Sequence, residues 1–359
     1  MLAGAFGFML HVRKRERQKY SEACRPILGK HTDGLLGRTI DLLAVFALLA
    51  GTATTFSLAT PLMATIINEL FHVQLNRTAV TIVILILTCV VYTYYLLHGF
   101  KGISFLAKSC IYMFFGLLAY VFLFGGEARY IVDTGVAAIG RMIQNFFELA
   151  TYTDPQRTTS FPQNWTIFYW AYWMVWCVAT PFFIGMISKG RTIRNTILGA
   201  YSWGLAGTFT SFIILGNYGL AQQMKHGLDV AGYIAAGGDY SEAIMMIFDT
   251  LPLKNLGLIL LVVTMIAFYS TTFDALTMVV SNYSYKRLLP DQEPDKRIRV
   301  FWSVIFILFP IALIFSENSM NNLQSVSIIA AFPIGVIILM IVSSFFKDAG
   351  RYLKNNKKD

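Results

Sequence analysis

The nine residues FYWAYWMVW, from Phe168 to Trp176, carry six aromatic rings. Counting from Trp165, one helical face carries Trp165, Tyr169, Tyr172, Trp173 and Trp176, at spacing i, i+4, i+7, i+8, i+11. Aromatic residues at this spacing read either as packing and an interfacial belt or as a box for a cation. Two features favour the box. The stripe runs for about three turns, further than a belt needs. It also combines Trp and Tyr, whose faces attract a cation that cannot be hydrogen-bonded, by ~2 kcal/mol or more once water is removed. A quaternary ammonium group is such a cation. Ring faces replace its weakly held water without any carboxylate.

A second constellation, FYSTTFDAL (268–276), places Ser270, Thr271, Thr272 and Asp274 inside an apolar run. Hydroxyls in such a helix usually bond back to their own carbonyls. Adjacent hydroxyls with free carbonyls also make a hard-oxygen site suited to Na⁺. Asp274 is costly there and is expected to be functional or partnered. Pro181, five residues past Trp176, removes a backbone donor and predicts a kink or break in its helix. Such a break exposes backbone groups in transporters, although a kink without function fits the sequence equally well. Lys108, near the end of another apolar run, reads as a snorkelling lysine or a coupling residue. HExxH, GxSxG and Gly-rich phosphate loops are absent, so no enzyme chemistry and no cofactor are expected. Cys24, Cys89, Cys110 and Cys177 have neither disulfide nor metal-ligand spacing.

The elements that position these residues are membrane helices. The chain of 359 residues is 56% hydrophobic and 14% charged, with a mean hydropathy of +0.57. Apolar runs recur at 39–71, 80–97, 103–125, 165–187, 193–220, 253–281, 300–315 and 323–346. They predict an all-α polytopic membrane protein with about eight complete spans. Most of the Lys and Arg lie at 11–38, 98–108, 188–194, 283–299 and 347–359. The positive-inside rule therefore puts both termini in the cytoplasm of a multi-pass plasma (inner) membrane protein. That placement accounts for the net charge of +9 without nucleic acid. ISKGRTIRN (187–195) needs no other reading than such a basic anchor. Asp41 is expected near a helix start, where the dipole favours an anion. Ile131, Val132, Ala138, Ile139, Met142, Ile143, Phe146 and Phe147 predict an outside amphipathic helix ended by TYTDP. The stretch from Ala221 to Thr250 reads as a long outside loop. MLAGAFGFML is too short to span and lacks the basic flank and small-residue cleavage site of a signal peptide, and is expected to be the inner end of a longer helix.

Three stretches carry a resemblance: PILGKHTDGLLGRTIDLLAVFALLAGTAT, NWTIFYWAYWMVWCVATPFFIGMISKGRTIRN and FYSTTFDALTMVVS. With them the chain resembles the betaine/carnitine/choline transporter family over nearly its whole length. YTDPQRTTSFPQNWTIFYWAYW and FFKDAGRYLK look most similar to the carnitine/γ-butyrobetaine antiporter branch. The resemblance implies an inverted-repeat secondary-transporter fold lacking its first helices. Within one transmembrane domain, 1–11 would be the tail of a truncated span and 39–125 the rest of a first repeat. Residues 126–164 would hold the outside helix and loop, 165–347 the second repeat and 348–359 a cytoplasmic tail. It further implies substrate contacts at Tyr172, Trp173 and Trp176, with Trp165 and Tyr169 on the entry path. Phe268, Thr271 and Thr272 match the family's sodium-site helix. Tyr172 stands where Trp is usual, and Thr180 and Pro181 replace pocket residues of the carnitine branch. Cys110 stands where that branch has an Arg in place of sodium, which favours Na⁺ coupling. The implied partners are a quaternary-ammonium compound (glycine betaine, carnitine or choline), the lipid bilayer and, as a homotrimer, two further copies of the chain. The implied activity is alternating access driven by Na⁺ or by substrate exchange. A non-transporting fragment, sensor or assembly partner is the competing reading.

Overall fold

The computed structural model describes residues 1–158, 161–289, 292–315 and 320–356. Lys357 and Lys358, counted above in the basic tail, lie outside the described residues. Every regular element among them is helical. Seven helices are long and apolar enough to cross a membrane: Leu35–Phe71, Arg77–Leu97, Lys101–Phe124, Trp165–Ile187, Ile193–His226, Lys254–Tyr283 and Ser327–Asn355. The expected eighth corresponds to helix Lys296–Phe315, which starts inside the basic run Lys296, Arg297, Arg299. Its apolar part, 300–315, falls short of the ~20 residues a crossing takes. The chain divides into two compact units, one of 1–57, 153–202 and 273–359, the other of 58–152 and 203–272.

In the first unit, helix Leu2–Gly7 packs on helix Thr180–Ile187 through glycine. A Cβ on Gly185 would lie 2.7 Å from Phe6 Cβ and 2.8 Å from the Gly7 nitrogen. Only backbone fits there, as in small-residue helix contacts within membranes. Phe6 fills the space beside this crossing, 5.1 Å from the Phe182 ring and 5.5 Å from Tyr20. The basic segment after it is folded by its carboxylates. Glu22, 4% exposed, accepts from Arg15 at 3.1 Å and from Arg25 at 2.5 and 2.8 Å. Arg25 also donates to Asp33 at 2.7 Å, and this bond holds the Asp33 carboxyl below its ordinary value. Asp348, in the closing helix Met320–Asn355, takes Arg13 at 2.8 Å and Arg15 at 3.5 Å. Several of the residues that look like topology signals are therefore also structural ion pairs. Burial pushes the Cys24 thiol up to about 12, so it stays protonated and unreactive.

Asp41 is not at a helix start. Helix Leu35–Phe71 begins six residues earlier, and Asp41 accepts the Ser21 N–H at 3.0 Å. The helix dipole favours an anion only in the first turn, and the loop's free donor claims this one. Asp274 is partnered: its carboxylate pairs with Arg299, 3% exposed, at the start of helix Lys296–Phe315.

The second unit has its own core of Ile66, Leu117, Val121, Tyr218, Phe248 and Leu258, among others. The expected amphipathic helix is two helices, Ala128–Gln144 and Phe146–Thr151, parted at Asn145. Of its predicted apolar side, Ile131 joins the core, whereas Val132, Ile143, Phe146 and Phe147 remain exposed. The stretch expected as a loop contains helices Val230–Ala235 and Tyr240–Phe248. Asp229 caps the first, accepting from Gly232 N at 2.8 Å, and Asp239 caps the second, accepting from Ser241 N at 2.7 Å. Glu127 is clasped by Lys225 at 2.5 Å and His226 at 2.8 Å, which holds its carboxyl below the usual range.

Truncating one member of the Arg299–Asp274 pair leaves a buried charge uncompensated. Arg299→Met is expected to lower stability by ~3–5 kcal/mol, and the double variant Asp274→Leu/Arg299→Met to recover most of it. Thermal unfolding of the detergent-solubilised protein checks this; equal losses in the single and double variants contradict it.

Candidate functional site

The aromatic stripe lies in the first unit, on helix Phe168–Trp176 and the helical turn Gln163–Ile167 before it. The rings run as a line. Trp165 stacks on Tyr169 at 5.9 Å and 24°, and Tyr169 meets Tyr172 edge-on at 6.2 Å and 85°. Tyr172 then meets both Trp173 and Trp176 at 6.1 Å, at 68° and 70°. All five expected residues are brought together by ring contacts, with Tyr172 at the branch. They differ in exposure. Trp173 is 60% and Tyr169 42% exposed, whereas Trp165, Tyr172 and Trp176 are half-buried. The adjoining edge of the helix, Phe168, Ala171 and Val175, is buried packing.

Pro181 breaks the span as its chemistry demands. Helix Phe168–Trp176 ends, 177–179 form a turn, and helix Thr180–Ile187 restarts with the proline in its first turn. An uninterrupted helix would satisfy the Cys177 carbonyl with the N–H of residue 181, which proline lacks. The hydroxyl of fully buried Tyr20 donates to that carbonyl instead, at 3.3 Å.

Two residues of the site were not singled out by the sequence reading, Gly51 and Thr55 of helix Leu35–Phe71. A Cβ on Gly51 would lie 2.8 Å from Val175 Cγ1 and 3.7 Å from Trp176 Nε1. The two helices therefore touch where one has no side chain. One turn on, Thr55 Oγ1 lies 2.5 Å from the Tyr172 hydroxyl and donates to the Gly51 carbonyl at 2.8 Å. Thr54 is bonded to Ser327 of the closing helix at 2.7 Å. The run AGTATTF, small and hydroxylic inside an apolar span, was the available signal. The buried Nε1 of Trp176 makes no hydrogen bond to a described atom.

Phe268, Thr271 and Thr272 belong to the second unit. Thr271 and Thr272 both donate to the Phe268 carbonyl at 2.9 Å, and Ser270 donates to Ile266 O at 2.9 Å. The hydroxyls bond to their own helix, and each oxygen keeps lone pairs for a further partner. Phe268 meets Phe114 at 5.5 Å, and Cys110 packs in one cluster with Ala267, the residue before Phe268. The structure thus sets Cys110 beside the sodium-site motif, packed with Leu106 and Ala267, while Lys108 is exposed on another face of the same helix. Among the described residues, no group of three or more His, Cys, Asp or Glu side chains could hold a metal ion.

A family model described as BCCT, betaine/carnitine/choline family transporter, matches residues 1–354.

Tyr20→Phe leaves the Cys177 carbonyl buried without a donor and is expected to cost ~1–3 kcal/mol. Adding Pro181→Ala should recover the loss, because alanine supplies the N–H. A Tyr20→Phe variant whose melting temperature equals that of the parent would show that the carbonyl needs no such partner.

Proposed function

We propose, because the chain belongs to the betaine/carnitine/choline transporter family, that its aromatic line is the binding site of a quaternary-ammonium substrate carried by alternating access. The family moves small molecules across membranes and catalyses no covalent chemistry. The observation that carries the reading is the unbroken contact of Trp165, Tyr169, Tyr172, Trp173 and Trp176 along one helix. A trimethylammonium head has no N–H to donate, so carboxylates or carbonyls give it no directional bond. Ring faces give it a cation–π attraction that strengthens as water leaves. Trp165 and Tyr169 would hand the substrate along, and Tyr172, Trp173 and Trp176 would hold it. Glycine betaine, choline and carnitine share that head, so each fits the site.

The break after Trp176 supports the same reading. Transporter sites are typically formed where helices are interrupted, and 177–179 form such an interruption one residue beyond the last ring. We assign both termini to the cytoplasm from the distribution of Lys and Arg, and a homotrimer as the assembly from the family resemblance. For coupling, Thr271 and Thr272 would offer hydroxyl oxygens to Na⁺. Cys110, packed with Ala267 at the start of this motif, supplies no cation that could take the ion's place.

Trp176→Ala is expected to weaken substrate binding by ~2 kcal/mol, and Trp176→Leu by nearly as much, since leucine restores volume without a ring face. Titration with labelled glycine betaine and choline checks this; wild-type affinity in the leucine variant would reduce the stripe to packing.

Linkage requires ion and substrate to raise each other's affinity by one factor, typically ~5–150-fold. Thr272→Ala should therefore raise the Na⁺ concentration for half-maximal uptake and change substrate affinity little at saturating Na⁺. Wild-type uptake that is the same in Na⁺ and K⁺ buffers would remove the sodium site and leave substrate exchange.

A further inference from the structure

Tyr172 is the branch point of the stripe. It touches Phe168 at 5.3 Å as well as Tyr169, Trp173 and Trp176. A phenol ring can turn about its Cβ–Cγ bond, and turning this one would disturb its packing against all four neighbours at once. Its hydroxyl is anchored by Thr55. Because the Thr55 proton is committed to the Gly51 carbonyl, the threonine oxygen is left as acceptor and the Tyr172 hydroxyl as donor. The Thr55 position is itself fixed. Gly51 sits against Val175 and Trp176 with no room for a Cβ, and Thr55 follows one helical turn later on the same face.

We propose that Thr55 is the positioning residue of the aromatic site: by accepting the Tyr172 proton it fixes the orientation of that ring and so the geometry of the box. The proposal rests on the aromatic line being the binding site. Donation has an electronic consequence too. A phenol that gives its proton to an acceptor shifts charge toward the ring, which makes the face more attractive to a cation. Thr55 touches no substrate; it acts through Tyr172. A tryptophan in place of Tyr172 has no hydroxyl to pin in this way, so the threonine and the tyrosine form one device.

The test is glycine betaine binding to the detergent-solubilised protein, read by quenching of tryptophan fluorescence. Thr55→Val, which keeps the shape and loses the hydroxyl, is expected to weaken binding by about threefold to tenfold, the range of one neutral hydrogen bond. Thr55→Ser should restore it. Tyr172→Phe should match Thr55→Val, and the double variant should be no worse than either single one. A merely structural threonine would instead give losses that add to those of Tyr172→Phe and are not rescued by serine; that result overturns the proposal. So does wild-type affinity in Thr55→Val while Trp176→Ala is impaired, which would leave the binding site itself standing. Wild-type affinity in Trp176→Ala would remove the aromatic site and this proposal together.

Discussion

A helix can set five rings on one face, but it cannot hold them in register, because each ring turns about its own bonds. The restraint comes from a second helix that approaches at Gly51. With no Cβ there, helix Leu35–Phe71 comes within van der Waals reach of Val175 and Trp176, and Thr55 reaches the Tyr172 hydroxyl. On the proposed reading the aromatic residues would supply attraction for a cation, and the glycine and threonine would decide where that attraction points. An apolar substituent at either position would preserve hydropathy and lose the geometry.

The same economy governs the polar groups of the apolar helices. In hydrocarbon an unmade hydrogen bond costs several kcal/mol, so each interruption needs a local remedy. Pro181 takes away the donor for the Cys177 carbonyl, and Tyr20, at the start of the short helix Tyr20–Ala23, returns one. Thr52, Thr54, Thr88 and Thr277 donate to the carbonyls four residues before them. Asp274 finds Arg299. A break in the stripe helix is thus compatible with a stable fold because its freed carbonyl is already spoken for.

Charge in the first unit does two jobs. Arg13, Arg15 and Arg25 count toward the basic asymmetry that orients a membrane protein, and they also fold the 13–33 segment around Glu22, Asp33 and Asp348. Glu22 is almost wholly covered and shared by two arginines, so only the loss of both would leave a buried carboxylate without a counter-charge. Through Asp348 this segment is tied to the closing helix, so distant parts of the sequence meet in one ionic cluster.

Composition and periodicity alone specify an all-helical membrane protein, because length and hydropathy decide whether a segment can leave water. The face shared by Trp165, Tyr169, Tyr172, Trp173 and Trp176 was legible for the same local reason, being fixed by 3.6 residues per turn. So was the break at Pro181, where a missing donor is a covalent fact. Asp41, Asp274, Gly51 and Thr55 were not legible in the same way. Asp41 sits well inside its helix and serves Ser21; Asp274 is matched by a residue 25 positions away. The long stretch read as a loop gains two helices once Asp229 and Asp239 cap them. The meaning of Gly51 and Thr55 depends on which helix lies opposite. Secondary structure follows from neighbours along the chain, whereas the partner of a buried polar group follows from neighbours across space, and only the tertiary structure determines those.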